Sequence, residues 1–189
     1  MIYEAFGKRL LDIVVAGSAL IVLAPLMAVL AIGARLSSPG PAIFRQVRIG
    51  THGATFEFYK FRSMPKNTGD IASDQIGRID IRPFGKFLRR SNLDELPQLF
   101  NILRGDMSLI GPRPPLPSQI DLLALRRENG ALACRPGLTG LAQVNSYDGM
   151  SLERKAEYDG IYAEKIGFFA DMAVLCRTFG YLMRPPPTY

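Results

Sequence analysis

Residues 13–32 read IVVAGSALIVLAPLMAVLAI, an apolar run without a charged side chain. As one straight helix it would extend about 30 Å, the depth of a bilayer's hydrocarbon core. Pro25 stands near its middle. Proline removes a backbone donor and crowds the carbonyl four residues back, here Ile21, so a kink is expected. A helix broken there has two arms of roughly 18 Å, each able to enter one leaflet but not to cross both. Lys8 and Arg9 precede the run, and Arg35, Arg45 and Arg48 follow it. Such flanks give a spanning helix no orientation. A re-entrant hairpin over residues 1–36, kinked at Pro25 with both ends on the cytoplasmic face, satisfies both groups of charges. A simple transmembrane anchor is the competing reading. A cleaved signal peptide fits poorly, because no small-x-small site follows this long stretch.

Outward from this run, the remainder (37–189) is about one domain's worth of chain. The 189 residues are 48% hydrophobic, an ordinary value for a soluble protein except that so much of it is concentrated near the N-terminus. A net charge of +6 favours an anionic partner: nucleic acid, acidic lipid or a phosphorylated substrate. The two cysteines, Cys134 and Cys176, are far apart and form no metal-type or redox pair, which predicts packed thiols in a reducing compartment. The single histidine, His52, sits in a Gly50-Thr51-His52-Gly53 turn and reads as solvated. A triad or multi-histidine zinc site is thereby excluded, leaving carboxylates, basic groups or a carboxylate-bound hard metal to do any chemistry.

Ser37-Ser38-Pro39-Gly40-Pro41 ends the membrane element. Residues 42–49 and 54–61 flank the GTHG turn, and Phe56, Phe58 and Phe61 among polar neighbours approximate strand alternation, so a β-hairpin is predicted. Residues 63–83 read as loop. Helices are expected over 94–103, stopped by Gly105, over 117–129, closing at Gly130, and over 151–165. Residues 168–183 are apolar with two charges and suit the core or a membrane interface. No internal repeat is visible, and the only biased tract is Pro185-Pro186-Pro187.

Phe84 to Pro114, FGKFLRRSNLDELPQLFNILRGDMSLIGPRP, carries the chemistry. Asp94 and Glu95 are expected in the first turn of the 94–103 helix, just after Lys86, Arg89 and Arg90. Helix starts stabilise anions, and the arginines should lower both carboxylate pKa values. An ionised carboxylate can attack phosphorus or bind Mg2+, while arginine forks hold phosphate oxygens. The bland alternative is that acids favour first helical turns anyway, and Ser91 to Asp94 matches a capping box.

Longer motifs decide between these readings. They are Lys8-Arg9-x-x-Asp12 before the apolar run, Tyr59-Lys60-Phe61-Arg62-Ser63-Met64, and Leu93-Asp94-Glu95-Leu96-Pro97-Gln98-Leu99-Phe100-Asn101. Gly105-Asp106-Met107-Ser108-Leu109-Ile110-Gly111-Pro112-Arg113-Pro114 and the stretch Arg135-Pro136-Gly137 to Gln143-Val144-Asn145 follow in order. In this order they resemble the bacterial sugar transferase family, the monotopic polyprenyl-phosphate phosphoglycosyl transferases, in a minimal catalytic form. The similarity covers nearly the whole chain. One departure is Ala24-Pro25 where family members often carry Ser-Pro, leaving the kink to proline alone.

The resemblance implies an enzyme that transfers a sugar phosphate from a UDP-sugar to polyprenyl (undecaprenyl) phosphate, releasing UMP, as the first membrane step of a bacterial glycan pathway. It implies Asp94 as nucleophile and Mg2+ ligand, with a covalent aspartyl-phosphosugar intermediate. Glu95 would position the metal or help deprotonate the acceptor. Arg89 and Arg113 would hold phosphate oxygens, with Lys60, Arg135 and Gln143 as further substrate-binding candidates. The expected architecture is α+β, mostly helical with one short β-hairpin, a re-entrant membrane helix and a small catalytic domain on the cytoplasmic face of the inner membrane. Membrane lipid is an expected partner and nucleic acid is not, since zinc-finger, RNP-like and polylysine patterns are absent. Exposed apolar surface is compatible with a homodimer. The alternative function is a membrane-anchored basic binding module without catalysis.

Overall fold

A computed structural model describes residues 3–65, 81–145 and 150–183. Most of the expected 63–83 loop and the Pro185–Pro187 tail lie outside the described residues.

After a short helical turn at Tyr3–Gly7, a single helix, α1, runs from Lys8 to Ser37 with Pro25 inside it. It is long and apolar enough to cross a membrane by length and composition. Its buried residues are Lys8, Asp12, Ala16, Leu30 and Ala34. Their separations of 4 and 14 residues, close to whole helical turns, place them on one helical face. Opposite them Ile21, Val22, Val29, Ile32 and Leu36 are exposed, Ile21 to 79% and Leu36 to 81%. One flank of α1 thus packs along the rest of the protein while the other is bare hydrocarbon.

Both ends of α1 are fastened to the same body. At the N-terminal end Lys8 Nζ lies 2.6 Å from Asp171 Oδ2, and Asp12 Oδ1 accepts from Leu109 N at 2.8 Å and Ser108 Oγ at 3.0 Å. Arg9 donates to the carbonyls of Ile102 and Leu103. At the C-terminal end the buried Arg62 donates to the carbonyls of Ala34 and Ser38, and Arg82 donates to that of Ser37. Carbonyls without helical partners at a helix end take up such cations readily. A Cβ on Gly33 would overlap the Phe84 ring, so glycine allows the close approach there.

The predicted hairpin is present: β1 (Ile43–Ile49) pairs antiparallel with β2 (Thr55–Phe61), with Gln46 opposite Phe58 and Phe44 opposite Lys60. His52 is exposed in the turn with φ of 55°. Then come α2 (Pro83–Arg90), α3 (Gln98–Arg104), β3 (Ser108–Ile110) and α4 (Ile120–Glu128). The chain continues through β4 (Gly137–Thr139), α5 (Leu141–Asn145), α6 (Leu152–Glu164) and α7 (Phe168–Leu182). The fold is therefore α+β and mostly helical, as expected, with a second small ladder: β3 and β4 pair in parallel. Three-residue strands separated by a helix leave no alternation for a sequence reading to catch.

Two apolar clusters hold these elements on α1. Ala16 joins Phe58, Leu99, Ile102, Met107, Leu109, Ile110, Tyr162 and Val174. Leu30 joins Phe61 and Leu88, with Met27, Ala31, Leu93 and Leu96 packed around them. The expected helices at 117–129, 151–165 and 168–183 all form, each shorter than predicted. Ser151 caps α6 by accepting from Arg154 N. Both cysteines are free: Cys134 is half-buried, with burial foremost raising its pKa to about 11, but Cys176 is exposed rather than packed.

Candidate active site

The expected helix over 94–103 starts later than predicted. Ser91 Oγ bonds the carbonyls of Phe87 and Leu88, so it closes α2 rather than opening a capping box. Asn92 then adopts a left-handed conformation, φ 55° and ψ 13°, and turns the chain. Leu93–Glu95 forms one isolated 3-10 turn, and α3 begins only at Gln98, after Pro97. The two carboxylates therefore stand on a turn between helices. They gain nothing from a helix start. Leu93 and Leu96 pack against the cluster formed with Leu30 of α1, so this turn sits directly on the apolar helix. Gly105 ends α3 as predicted, at φ 96°, donating to the carbonyls of Asn101 and Ile102.

Three basic side chains surround the turn. Lys60 Nζ, from β2, lies 2.7 Å from Glu95 Oε1 and 3.9 Å from Asp94 Oδ2. Arg113 Nη2, from the loop after β3, reaches the same Glu95 oxygen at 2.7 Å. Arg89, at the end of α2, approaches Met64 Sδ at 3.2 Å and adds its charge to the field at Asp94. Glu95 is thus committed to two cations. Asp94 is 6% exposed and makes no hydrogen bond among the described residues.

The electrostatics separate the pair. Burial pushes the Asp94 carboxyl above the usual range and Glu95's charge adds to this, against the opposing pull of Lys60, Arg89 and Arg113. For Glu95 burial also favours the neutral acid, but Arg113 and Lys60, through charge and hydrogen bonds together, hold it well below the usual range. The basic neighbours pull both values down, as expected, and prevail at Glu95; at Asp94 burial, joined by the charge of Glu95, outweighs them. A carboxylate held as low as that of Glu95 is a weak proton acceptor. At Asp94, whose contact with Lys60 is the longer one at 3.9 Å, the cost of burying the charge is only partly offset.

Asn101, fully buried on α3, fixes this geometry. Its Oδ1 accepts from Tyr59 N at 3.1 Å and its Nδ2 donates to Glu57 O at 2.6 Å, locking β2, and with it Lys60, against the segment that carries Asp94. Sequence reading missed this role although Asn101 closes the LDELPQLFN motif. A polar residue that far into an apolar helical face was the available signal.

Arg135 and Gln143 belong to another neighbourhood. Arg135 leads into β4, and its charge acts on Asp12 of α1. Gln143 Nε2 donates to Leu138 O at 3.1 Å while its Oε1 is buried without a partner among the described residues. The structure brings Lys60, Arg89, Asp94, Glu95 and Arg113 together, and places these two at the β3–β4 ladder. Among the described residues no group of three or more His, Cys, Asp and Glu side chains converges to hold a metal.

The bacterial sugar transferase family model matches residues 3–185, and the chain belongs to that family. It is 39% identical over 180 residues to the UDP-glucose:undecaprenyl-phosphate glucose-1-phosphate transferase of Klebsiella pneumoniae, covering 90% of this chain and 39% of that protein. Against the Caulobacter vibrioides protein of the same name the identity is 38%, covering 96% of this chain and 72% of the relative. The undecaprenyl-phosphate galactose phosphotransferase of Salmonella typhimurium is 35% identical over 97% of this chain and 42% of its own length. The chain therefore spans well under half of two of these relatives and most of the third.

Proposed function

We propose that this chain transfers a sugar phosphate from a UDP-sugar to polyprenyl phosphate, with Asp94 as nucleophile. The observation that carries the reading is the division of labour in the turn. Glu95 gathers Lys60 and Arg113 at 2.7 Å beside Asp94, while Asp94 itself stays buried with only the longer 3.9 Å contact to Lys60. A binding module has no use for a buried carboxylate held this loosely among cations.

In the first step an Asp94 carboxylate oxygen attacks the β-phosphorus of the donor. The bond from that phosphorus to the bridging oxygen breaks, and UMP leaves with the oxygen. An aspartyl-phosphosugar remains. An oxygen of polyprenyl phosphate then attacks the same phosphorus, freeing the Asp94 carboxylate and giving the polyprenyl diphosphate sugar. Two displacements let one site serve a soluble donor and then a lipid acceptor. Arg113 and Arg89 suit the role of binding the phosphate oxygens, and Lys60 that of stabilising the charge that develops next to Asp94. Glu95 positions the cations.

A Mg2+ ion fits this site. Such ions are held by one or two carboxylates together with substrate phosphates, and Asp94 has an open carboxylate to offer. When bound, the ion would neutralise diphosphate charge and favour departure of UMP.

The reading also includes a monotopic placement at the cytoplasmic face of the bacterial inner membrane, residues 1–36 forming the membrane element and 37–189 the catalytic unit. The fastening of both ends of α1 to one body supports it, since a helix crossing the bilayer carries its ends to opposite sides. So does the seat of the catalytic turn on α1, which would bring a lipid acceptor's phosphate to Asp94. The kink at Pro25, contact with lipid and a homodimer through the bare face of α1 are parts of the same proposal.

The test is UMP release from UDP-glucose, UDP-galactose and their N-acetylated counterparts, with polyprenyl phosphate and Mg2+, for wild type and Asp94→Asn. Release by wild type alone supports the reading and names the donor. Binding of donor without release by any pairing favours the module that only binds.

A further inference from the structure

Pro112-Arg113-Pro114-Pro115 leaves Arg113 with the only backbone N–H of its tetrapeptide, so this segment cannot knit itself into regular structure. It is held instead by its carbonyls, each taken by a different donor. Pro112 O accepts from Gly137 N at 2.9 Å, and Pro115 O from Ile49 N at 3.0 Å. Pro114 O accepts from Arg48 Nη1 at 3.1 Å, and Arg113 O from Arg126 Nη1 at 2.8 Å. Strands β4 and β1 and helix α4 thus suspend an arch, and the arch presents the Arg113 guanidinium to Glu95.

Of these supports, Arg126 is the one built with most care. It is 2% exposed, and its Nε and Nη2 both donate to Asp159 Oδ2, at 2.9 and 2.6 Å. Asp159, on α6, is itself 1% exposed. The guanidinium fork is therefore clamped on one side by a carboxylate and spends its remaining nitrogen on the backbone of the residue facing the site. A lysine, a single point charge, cannot reproduce the two-nitrogen grip on Asp159 together with a separate nitrogen on the Arg113 carbonyl. An ion pair this deep gives little net stability compared with apolar packing; what it supplies is a fixed geometry.

We infer that Arg126, clamped by Asp159, is a positioning residue for the Arg113 fork, and hence for recognition of the donor's diphosphate. The inference rests on the transferase reading of the site. It assigns α4 and α6, which contribute no side chain to the Asp94 cluster, the task of aiming Arg113. Misplacing such a group by about 1 Å can cost roughly 100-fold in rate.

A double-mutant cycle tests it. Arg126→Lys and, as a gentler perturbation, Asp159→Asn are each combined with Arg113→Met. The kcat/KM for UMP release and the affinity for UDP by calorimetry are measured at every corner, with thermal midpoints as a fold control. If Arg126 acts through Arg113, either substitution lowers kcat/KM and UDP affinity by roughly 10- to 100-fold in the native background and by less than about 2-fold once Arg113 is methionine. Equal losses in both backgrounds would overturn the inference and leave Arg126 a general support of the fold. The calorimetric cycle is read without turnover, so it stands apart from the transferase reading, which fails separately if wild-type protein releases no UMP.

Discussion

At the scale of single residues, the divided electrostatics of Asp94 and Glu95 set the behaviour with pH. A nucleophilic Asp94 must be ionised, and burial raises its pKa, so kcat/KM falls on acidification at a higher pH than an exposed aspartate would give. Lys60 makes the largest opposing contribution. Lys60→Met is expected to move this acid limb to still higher pH, apart from any loss of maximal rate; an unmoved limb in the pH–rate profile would separate the limb from Asp94. The same shift has a consequence for stability. A folded-state pKa above the unfolded one means that ionising Asp94 near neutral pH opposes folding. Asp94→Asn should therefore raise the thermal midpoint, by the equivalent of about 0.5–2 kcal/mol, while lowering transfer by roughly 10⁴-fold or more. A lower midpoint for this variant would show that Asp94 is a structural carboxylate.

At the scale of elements, the site depends on how β2 is seated against α3. Asn101 bonds the strand backbone on both its donor and acceptor sides. Asn101→Ala leaves Tyr59 N and Glu57 O without these partners in a part-buried seam and should cost about 1–2 kcal/mol, seen as a lowered thermal midpoint. Lys60 is aimed by that strand, so transfer should fall further than the loss of folded protein accounts for.

The elements also show what could be read from the chain alone. The hairpin, the helices at 120–128, 152–164 and 168–182, and the stop at Gly105 follow from local signals: alternating Phe residues, helix-prone or apolar runs, and a glycine just past a helical stretch. The gathering of Lys60, Arg89 and Arg113 around Asp94–Glu95 followed from motif resemblance. What escaped depended on tertiary partners. The β3–β4 ladder is three residues long and exists only by pairing across 26 intervening positions of chain. The start of α3 was misplaced because the left-handed Asn92 and the Ser91 cap of α2 split a stretch that looks continuous in sequence. Arg135 and Gln143 share a loop with glycines that serve the ladder, and proximity to Asp94 could not be deduced from that. Arg126 and Asp159 are ordinary helix residues until the fold buries them against each other.

At the scale of the molecule, the apolar helix and the Asp94–Glu95 turn form one unit, because α1 supplies a wall to both apolar clusters. The run that would suit a spanning anchor is bound to the same body at Lys8–Asp12 and at Ala34–Ser38. Single cysteines at Phe6 and Leu36, introduced after replacing Cys134 and Cys176, should both react with an impermeant thiol reagent from the same face of sealed vesicles. Labelling from opposite faces would require α1 to leave the body at one end and would end the monotopic reading.

The central claim is that Asp94 carries the phosphosugar, and intact-protein mass measurement tests it most directly. Wild type and Asp94→Asn are incubated with the donor that releases UMP, without polyprenyl phosphate, and quenched. The account predicts that wild type gains the mass of one sugar phosphate, that the added mass disappears when polyprenyl phosphate is supplied, and that Asp94→Asn gains nothing. UMP release from a wild type that stays unmodified, or an Asp94→Asn variant that takes up the same mass, would contradict it.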